Sequence, residues 1–453
     1  MNLTLKESGH PSFGEPAERY VMHAQDEACH IPGLASATAL RTIARVGVVG
    51  AGTMGGGIAM NFLNAGIPTV LIDTTEEALT RGVGIITRNY EATAAKGKIS
   101  AEDVTRRMAC LTPSVDDTAL GDCDLVIEAV YENLQVKLAV CRRLGEVCRP
   151  GAIIASNTST LDIDVLAEAT GRASDVLGMH FFSPANVMRL LEVVRGAQTA
   201  PDVLATVMQL SERIGKVAVV SGVCYGFIGN RMLESYLREA DFLLMAGASP
   251  AQIDRAIESM GLAMGPCRML DMAGTDVAAK IVQERAAAAA APEDARYRAV
   301  VGELHARGRH GQKTGAGYYR YEGRTPVEDP EVQAMTRELA ARHGVTRRAD
   351  ITDEEIIERC LYPLINEGAA ILQEGIAYRP GDVDVVWVNG YGFPRSKGGP
   401  LYLADAIGAR QIVDRLAACG RAEGNDHGYW DVNPLLADLA QRGARFQDIG
   451  QRA

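Results

Sequence analysis

Paired cysteines, an excess of positive charge and an uninterrupted apolar span are all missing from this chain of 453 residues. Its nine cysteines, at 29, 110, 123, 141, 148, 224, 267, 360 and 419, are scattered and never form Cys-x-x-Cys. That excludes a disulfide framework and a zinc site, so no metal is expected and the compartment reads as reducing. Lys and Arg number 46 against 57 Asp and Glu, a net charge of −11. No basic surface of the kind that holds nucleic acid or an anionic membrane is implied. The first residues carry no basic segment followed by an apolar core, so they do not read as a secretory signal. The longest uncharged stretch, 46–72, holds glycines at 47, 50, 52, 55, 56, 57 and 66 and Pro68. It reads as strand, turn, helix and strand rather than as a membrane span.

What is present is an ordinary globular composition, 47% hydrophobic and 23% charged, long enough for two to four domains. Residues 1 to about 40 show no sustained period and read as a leader that packs on the domain or stays mobile, without chemistry. Short apolar runs at 46–49, 69–72, 125–127, 152–155, 176–179, 190–194 and 217–220 then alternate with amphipathic stretches. That alternation predicts an α/β Rossmann-type doubly wound sheet. After Tyr225 long helical patterns follow, at 226–246, 271–291 and 353–374, with the alanine run 286–291 ending a helix at Pro292.

The helical half contains a repeat. Glu239, Gly247, Asp254, Gly265-Pro266, Asp271 and Gly274 recur as Glu367, Gly375, Asp384, Gly399-Pro400, Asp405 and Gly408, at an offset of 128 to 134 residues. Order and spacing predict two copies of one helical unit. The expected organisation is therefore a leader over 1–42, a dinucleotide-binding domain over 43–222, and helical copies over 223–325 and 326–453.

Gly50-Ala-Gly52-Thr53-Met54-Gly55 follows an apolar strand and opens an amphipathic helix. Gly50 permits the tight turn, Gly52 lets backbone approach a pyrophosphate, and Gly55 lets helix and strand pack closely. Asp73 ends the next strand, where it can accept hydrogen bonds from ribose hydroxyls and repel a 2′-phosphate, which favours NAD over NADP. Of eight histidines only His180 ends an apolar strand of this domain, at the edge where such sheets bind ligands. Glu192 lies within the next apolar run, where a carboxylate needs a partner. Paired with His180, it would fix one tautomer and raise the basicity of the imidazole.

The glycine-rich turn, Glu128-Ala-Val-Tyr-Glu132-Asn-Leu-x-Val-Lys137, Ser156-Asn157-Thr158-Ser159, His180-Phe-Phe-Ser-Pro-Ala, Gly226-Phe-Ile-Gly-Asn230-Arg231 and Gly311-Gln-Lys313-Thr-Gly-x-Gly-Tyr together resemble the L-3-hydroxyacyl-CoA dehydrogenases of fatty-acid β-oxidation. The likeness is greater to the dehydrogenase half of the multifunctional enzymes and runs from about Glu15 to about Gly443. It implies NAD-dependent oxidation of an (S)-3-hydroxyacyl-CoA. His180 is then the base and Glu192 its orienting partner, while Ser159 and Asn230 bond the substrate's 3-oxygen. Gly50, Gly52, Thr53, Met54, Gly55, Asp73, Glu132, Lys137 and Asn157 are placed on the cofactor.

Only about 45 residues precede the glycine-rich turn, too few for the enoyl-CoA hydratase domain of those enzymes, so a dehydrogenase without hydratase activity is expected. Three departures stand out: Gly229 where the family usually has a β-branched residue, Asn186 where the multifunctional enzymes commonly have His, both bearing on chain-length preference, and Glu358-Arg359 in the second copy where the first has Asn230-Arg231. The second copy is thus expected to be structural, satisfying internally the surface through which single-copy relatives dimerise, in a monomer or a different dimer. Thiolase or hydratase chains are the protein partners the resemblance suggests, and the cytoplasm is the expected location. A dehydrogenase of a non-CoA 3-hydroxy acid and a non-catalytic NAD-binding scaffold are the alternatives.

Overall fold

The computed structural model describes residues 14–450 apart from 36 and 288–290. These residues form two compact units. The sheet unit comprises Val21–Asn230 with Glu374–Tyr391, and the helical unit comprises Arg231–Gln373 and Gly392–Ile449 with the described residues up to Tyr20. The division departs from the boundaries expected above, because the segment 374–391 of the second copy belongs with the sheet.

The sheet has eight strands: β1 (Val46–Val49), β2 (Thr69–Ile72), β3 (Leu111–Ser114), β4 (Leu125–Glu128), β5 (Ile153–Ser156), β6 (Val176–Phe181), β7 (Leu190–Val194) and β8 (Val217–Ser221). Their order is β3-β2-β1-β4-β5-β6-β7-β8. Strands β3 through β6 run parallel, β7 runs antiparallel to β6, and β8 is parallel to β7. Strands β2, β4, β5, β6 and β7 are buried at every residue. That accounts for their largely apolar runs, since helices cover both faces of such a sheet. The edge strand β3 was not legible in the sequence: it reads Leu-Thr-Pro-Ser, is only partly buried, and carries a proline that an edge tolerates. The strand order reverses between β1 and β4, the switch point beside which such sheets bind ligands.

Of the two outcomes expected for the leader, packing is the one seen over its described residues, and the absence of a sustained period is corrected. Glu15–Ala28 is a helix, and Ala17, Val21, Ala24 and Ala28 are buried at helical spacing. Three of these four are alanines, too small to register as an apolar stripe. Residues 1–13 of that leader lie outside the described residues. Helix Pro380–Gly390 packs against β7 and β8, and Gly222 donates its N–H to Ile376 O at 2.8 Å.

In the helical unit the expected helix 271–291 is broken at Gly274, whose φ of 101° ends Pro266–Ala273 and starts Thr275–Ala287. The alanine run's continuation at 288–290 lies outside the described residues. A hairpin of Arg320–Glu322 and Thr325–Val327 also interrupts the helices.

The duplication is visible in side-chain roles. Asp271 accepts the N–H groups of Tyr318 and Tyr319 at 2.8 and 3.0 Å, and its counterpart Asp405 accepts those of Phe446 and Gln447 at 2.6 and 3.1 Å. The Gly311 to Tyr318 motif is explained by the first contact. A Cβ at Gly317 would fall 1.8 Å from Asp271 Oδ1, so only glycine lets the chain close on that carboxylate.

Candidate active site

The glycine-rich turn adopts the geometry its sequence requires. Gly50 has φ 103°, and a Cβ there would lie 2.6 Å from Ala129 O. A Cβ at Gly55 would lie 1.7 Å from Gly50 O, so helix Thr53–Asn64 can pack at this distance only with glycine. Gly52 caps that helix without a side-chain bond, and a Cβ on it would meet no atom within 4 Å. Gly52 and Thr53 are exposed and Met54 is half-buried, so the backbone at this helix N-terminus is open on its outer side. These residues fit a pyrophosphate. Asp73, just beyond β2, accepts the Ala51 N–H and the Thr74 N–H, each at 2.7 Å. The following helix is capped by Thr75 instead, which leaves Asp73 to the turn.

His180 and Glu192 face one another in register across β6 and β7. His180 Nδ1 lies 2.7 Å from Glu192 Oε2, with the residues 5% and 0% exposed. The second oxygen, Oε1, accepts the N–H groups of Ile228 and Gly229 at 3.1 and 3.0 Å, at the start of helix Gly229–Ala246. Both oxygens are therefore satisfied, as a buried carboxylate requires, and Glu192 holds the imidazole and the start of that helix together. Phe182 and Phe227 pack beside the imidazole, with ring centroids 4.5 and 5.6 Å away.

Asn157, after β5, accepts the Phe181 N–H with Oδ1 at 2.8 Å, which ties its side chain to the residue next to His180. Ser159 donates its N–H to Glu132 Oε1 at 2.8 Å. It does not cap the neighbouring helix Ile163–Ala169, which Asp162 caps. Glu132 also accepts from Thr158 Oγ1 at 2.5 Å and pairs with Lys137 Nζ at 3.2 Å. Burial works to raise the Glu132 carboxyl, but the Lys137 ammonium and these bonds outweigh it and leave it below the usual range.

Lys137 is itself buried, and its Nζ lies 2.6 Å from Glu128 Oε1. Glu128 accepts Ser156 Oγ at 2.6 Å and the Val130 N–H at 2.8 Å. Lys137 is thereby committed to two carboxylates. Through Glu132 it is linked to the Ser159 loop. The sequence reading gave Glu128 no role beyond its place in the motif, although it closes an apolar run, where a carboxylate needs a partner as Glu192 does. No cluster of metal-ligating side chains occurs among the described residues, and no helix there is long and apolar enough to cross a membrane.

Comparison with known proteins gives the family. The family model "3-hydroxyacyl-CoA dehydrogenase, NAD binding domain" matches residues 45–224, and that of the C-terminal domain matches twice, at 226–321 and 356–448. The chain is 42% identical over 416 residues to a peroxisomal bifunctional enzyme of Danio rerio, covering 89% of this chain and 57% of that one. It is 33% identical over 432 residues to a peroxisomal fatty acid beta-oxidation multifunctional protein of Arabidopsis thaliana, covering 94% and 58%. The chain thus spans just over half the length of these relatives.

Among solved structures, 3-hydroxybutyryl-CoA dehydrogenase from Escherichia coli K12 superposes with a TM-score of 0.77 at 27% identity, covering 89% of this chain and 99% of that one. The dehydrogenase part of a multifunctional enzyme from C. elegans gives 0.67 at 27% identity, covering 94% and 97%. The cytoplasmic location expected from the sequence is corrected here, because the curated relatives are named peroxisomal or glyoxysomal enzymes. Compartment is set by receptor-read addresses, which thiol content and charge do not encode.

Proposed function

The chain belongs to the 3-hydroxyacyl-CoA dehydrogenase family, and from that premise we propose that it catalyses the reversible, NAD-dependent oxidation of an (S)-3-hydroxyacyl-CoA to the 3-ketoacyl-CoA. The observation that carries this reading is the buried His180–Glu192 pair at the carboxyl end of β6. A carboxylate can only accept, so the hydrogen of His180 sits on Nδ1 and Nε2 keeps its lone pair. Nε2 is then the base that takes the proton of the 3-hydroxyl, and Glu192 stabilises the imidazolium that forms. Ser159 and Asn230 are the donors for the 3-oxygen, where preorganised hydrogen bonds favour the charge that develops.

NAD, when bound, supplies the two-electron acceptor for C3. The turn from Gly50 to Gly55 holds its pyrophosphate, with Thr53 and Met54 at the helix start, and Asp73 holds the adenosine ribose. On the nicotinamide side the reading assigns Glu132, with Lys137 fixing it, and Asn157. The tandem helical copies support a monomer.

Requirement for CoA is tested by comparing acetoacetyl-CoA with acetoacetate as oxidants of NADH. Turnover confined to the thioester is expected. Equal turnover of the free acid would move the assignment to a non-CoA 3-hydroxy acid.

A further inference from the structure

Tyr391 closes the segment Glu374–Tyr391, the part of the second helical copy that belongs to the sheet unit. Its hydroxyl donates to Asn230 Oδ1 at 2.8 Å. Its ring stacks on Trp387, with centroids 4.6 Å apart and planes at 24°, and meets Phe182 edge-on at 5.6 Å. Phe182 in turn lies against His180. A Cβ at Gly229 would fall 2.4 to 2.8 Å from Tyr391 ring and hydroxyl atoms. The φ of Gly229 is not in the left-handed region, so space alone demands glycine there. The departure at 229 and the aromatic residue at 391 are two halves of one fit.

An amide can turn either end to a neighbour, and its two ends have opposite roles. With Oδ1 occupied by a phenolic O–H, the end left over is Nδ2, a donor. In the flipped amide, Oδ1 would confront an oxygen gaining negative charge. Burial, with the Glu192 carboxylate adding to it, pushes the Tyr391 phenol well above its usual range, so it remains a donor at neutral pH.

We propose that Tyr391 is a positioning residue for the dehydrogenase reaction: by engaging Asn230 Oδ1 it presents Nδ2 to the substrate's 3-oxygen. The second helical copy, which has Glu358 where the first has Asn230, thus completes the first copy's site without carrying one of its own. The proposal rests on the dehydrogenase reading above.

Tyr391→Phe removes the hydroxyl and keeps the ring that fills the space beside Gly229. With acetoacetyl-CoA and NADH, kcat is expected to fall about tenfold, the worth of one oriented hydrogen bond, while the variant stays folded and its KM for NADH stays as in the wild type. In an Asn230→Ala background the same change is expected to cost nothing further, because there is no amide to orient. An unchanged kcat in Tyr391→Phe, or an equal loss in both backgrounds, would overturn the proposal while leaving the dehydrogenase reading in place. A wild type inactive on every 3-ketoacyl-CoA would overturn the reading and the proposal with it.

Discussion

Arg359 gives Nε and Nη2 to a single oxygen of Glu239, at 3.1 and 3.0 Å, in an ion pair whose side chains are 2% and 0% exposed. One repeat earlier Arg231 reaches Glu367, so each copy lends an arginine to the other's glutamate. That exchange is what a twofold axis does to a self-complementary interface.

Removing one member of a buried pair strands the other's charge, at a cost of about 3–5 kcal/mol. Arg238 also donates to Glu239, at 3.1 Å, so Arg359→Met leaves that carboxylate one cation and is expected to lower stability by less than that amount, whereas Arg359→Met with Glu239→Leu strands Arg238 and is expected to cost more than the single change. Denaturant titration reads both, and a wild-type midpoint independent of protein concentration is the companion result for a monomer. Equal losses in the single and double variants would show that Arg238 does not depend on that carboxylate.

Glu192→Gln keeps an oxygen for the Ile228 and Gly229 N–H groups but offers His180 Nδ1 a donor. Nδ1 then becomes the acceptor and the proton moves to Nε2, where the base should be free. A loss of roughly 10²–10⁴ in kcat is expected with little change in KM for NADH. Retained turnover would separate Glu192 from the tautomer of His180.

At Asp73 the cofactor preference is at stake. Asp73→Ala is expected to raise the KM for NADH about tenfold or more, since hydrogen bonds to a charged group are lost. Because repulsion of a 2′-phosphate disappears too, the gap between NADH and NADPH should close. Equal weakening of both would leave Asp73 only the Ala51 N–H to hold.

Asp254 and Asp271 are each pushed up to about 6 by burial, against the pull of the N–H and tyrosine O–H bonds they accept. A carboxyl raised in the folded state contributes stability that is full below about pH 4 and is lost as pH rises through 6. The stability difference between wild type and Asp254→Asn should therefore shrink in the wild type's disfavour across that window, by up to about 3 kcal/mol. A difference that grows in the wild type's favour would mean the carboxylate is the stabilised form.

Much of this was legible before the structure because strands buried on both faces are short apolar runs, and because a glutamate within one, as at 192, must have a partner. The turn at Gly50 and the repeat around Asp271 and Asp405 were legible for similar reasons, since their roles depend on local geometry. Helix Glu15–Ala28 was not, its buried stripe being mostly alanine. Strand β3 was not, since an edge strand needs neither full burial nor an unbroken apolar run. Tyr391 could not be found from spacing at all: it is 161 positions from Asn230, and only the fold brings them together.

The central claim is that His180 is the base of an NAD-dependent 3-hydroxyacyl-CoA dehydrogenase, and NADH absorbance with acetoacetyl-CoA tests it most directly when wild type and His180→Gln are run side by side. Rapid oxidation of NADH by the wild type, with turnover lost by at least about 10²-fold in a folded variant that still binds NADH, is the predicted result. No turnover by the wild type, or undiminished turnover by His180→Gln, would contradict it.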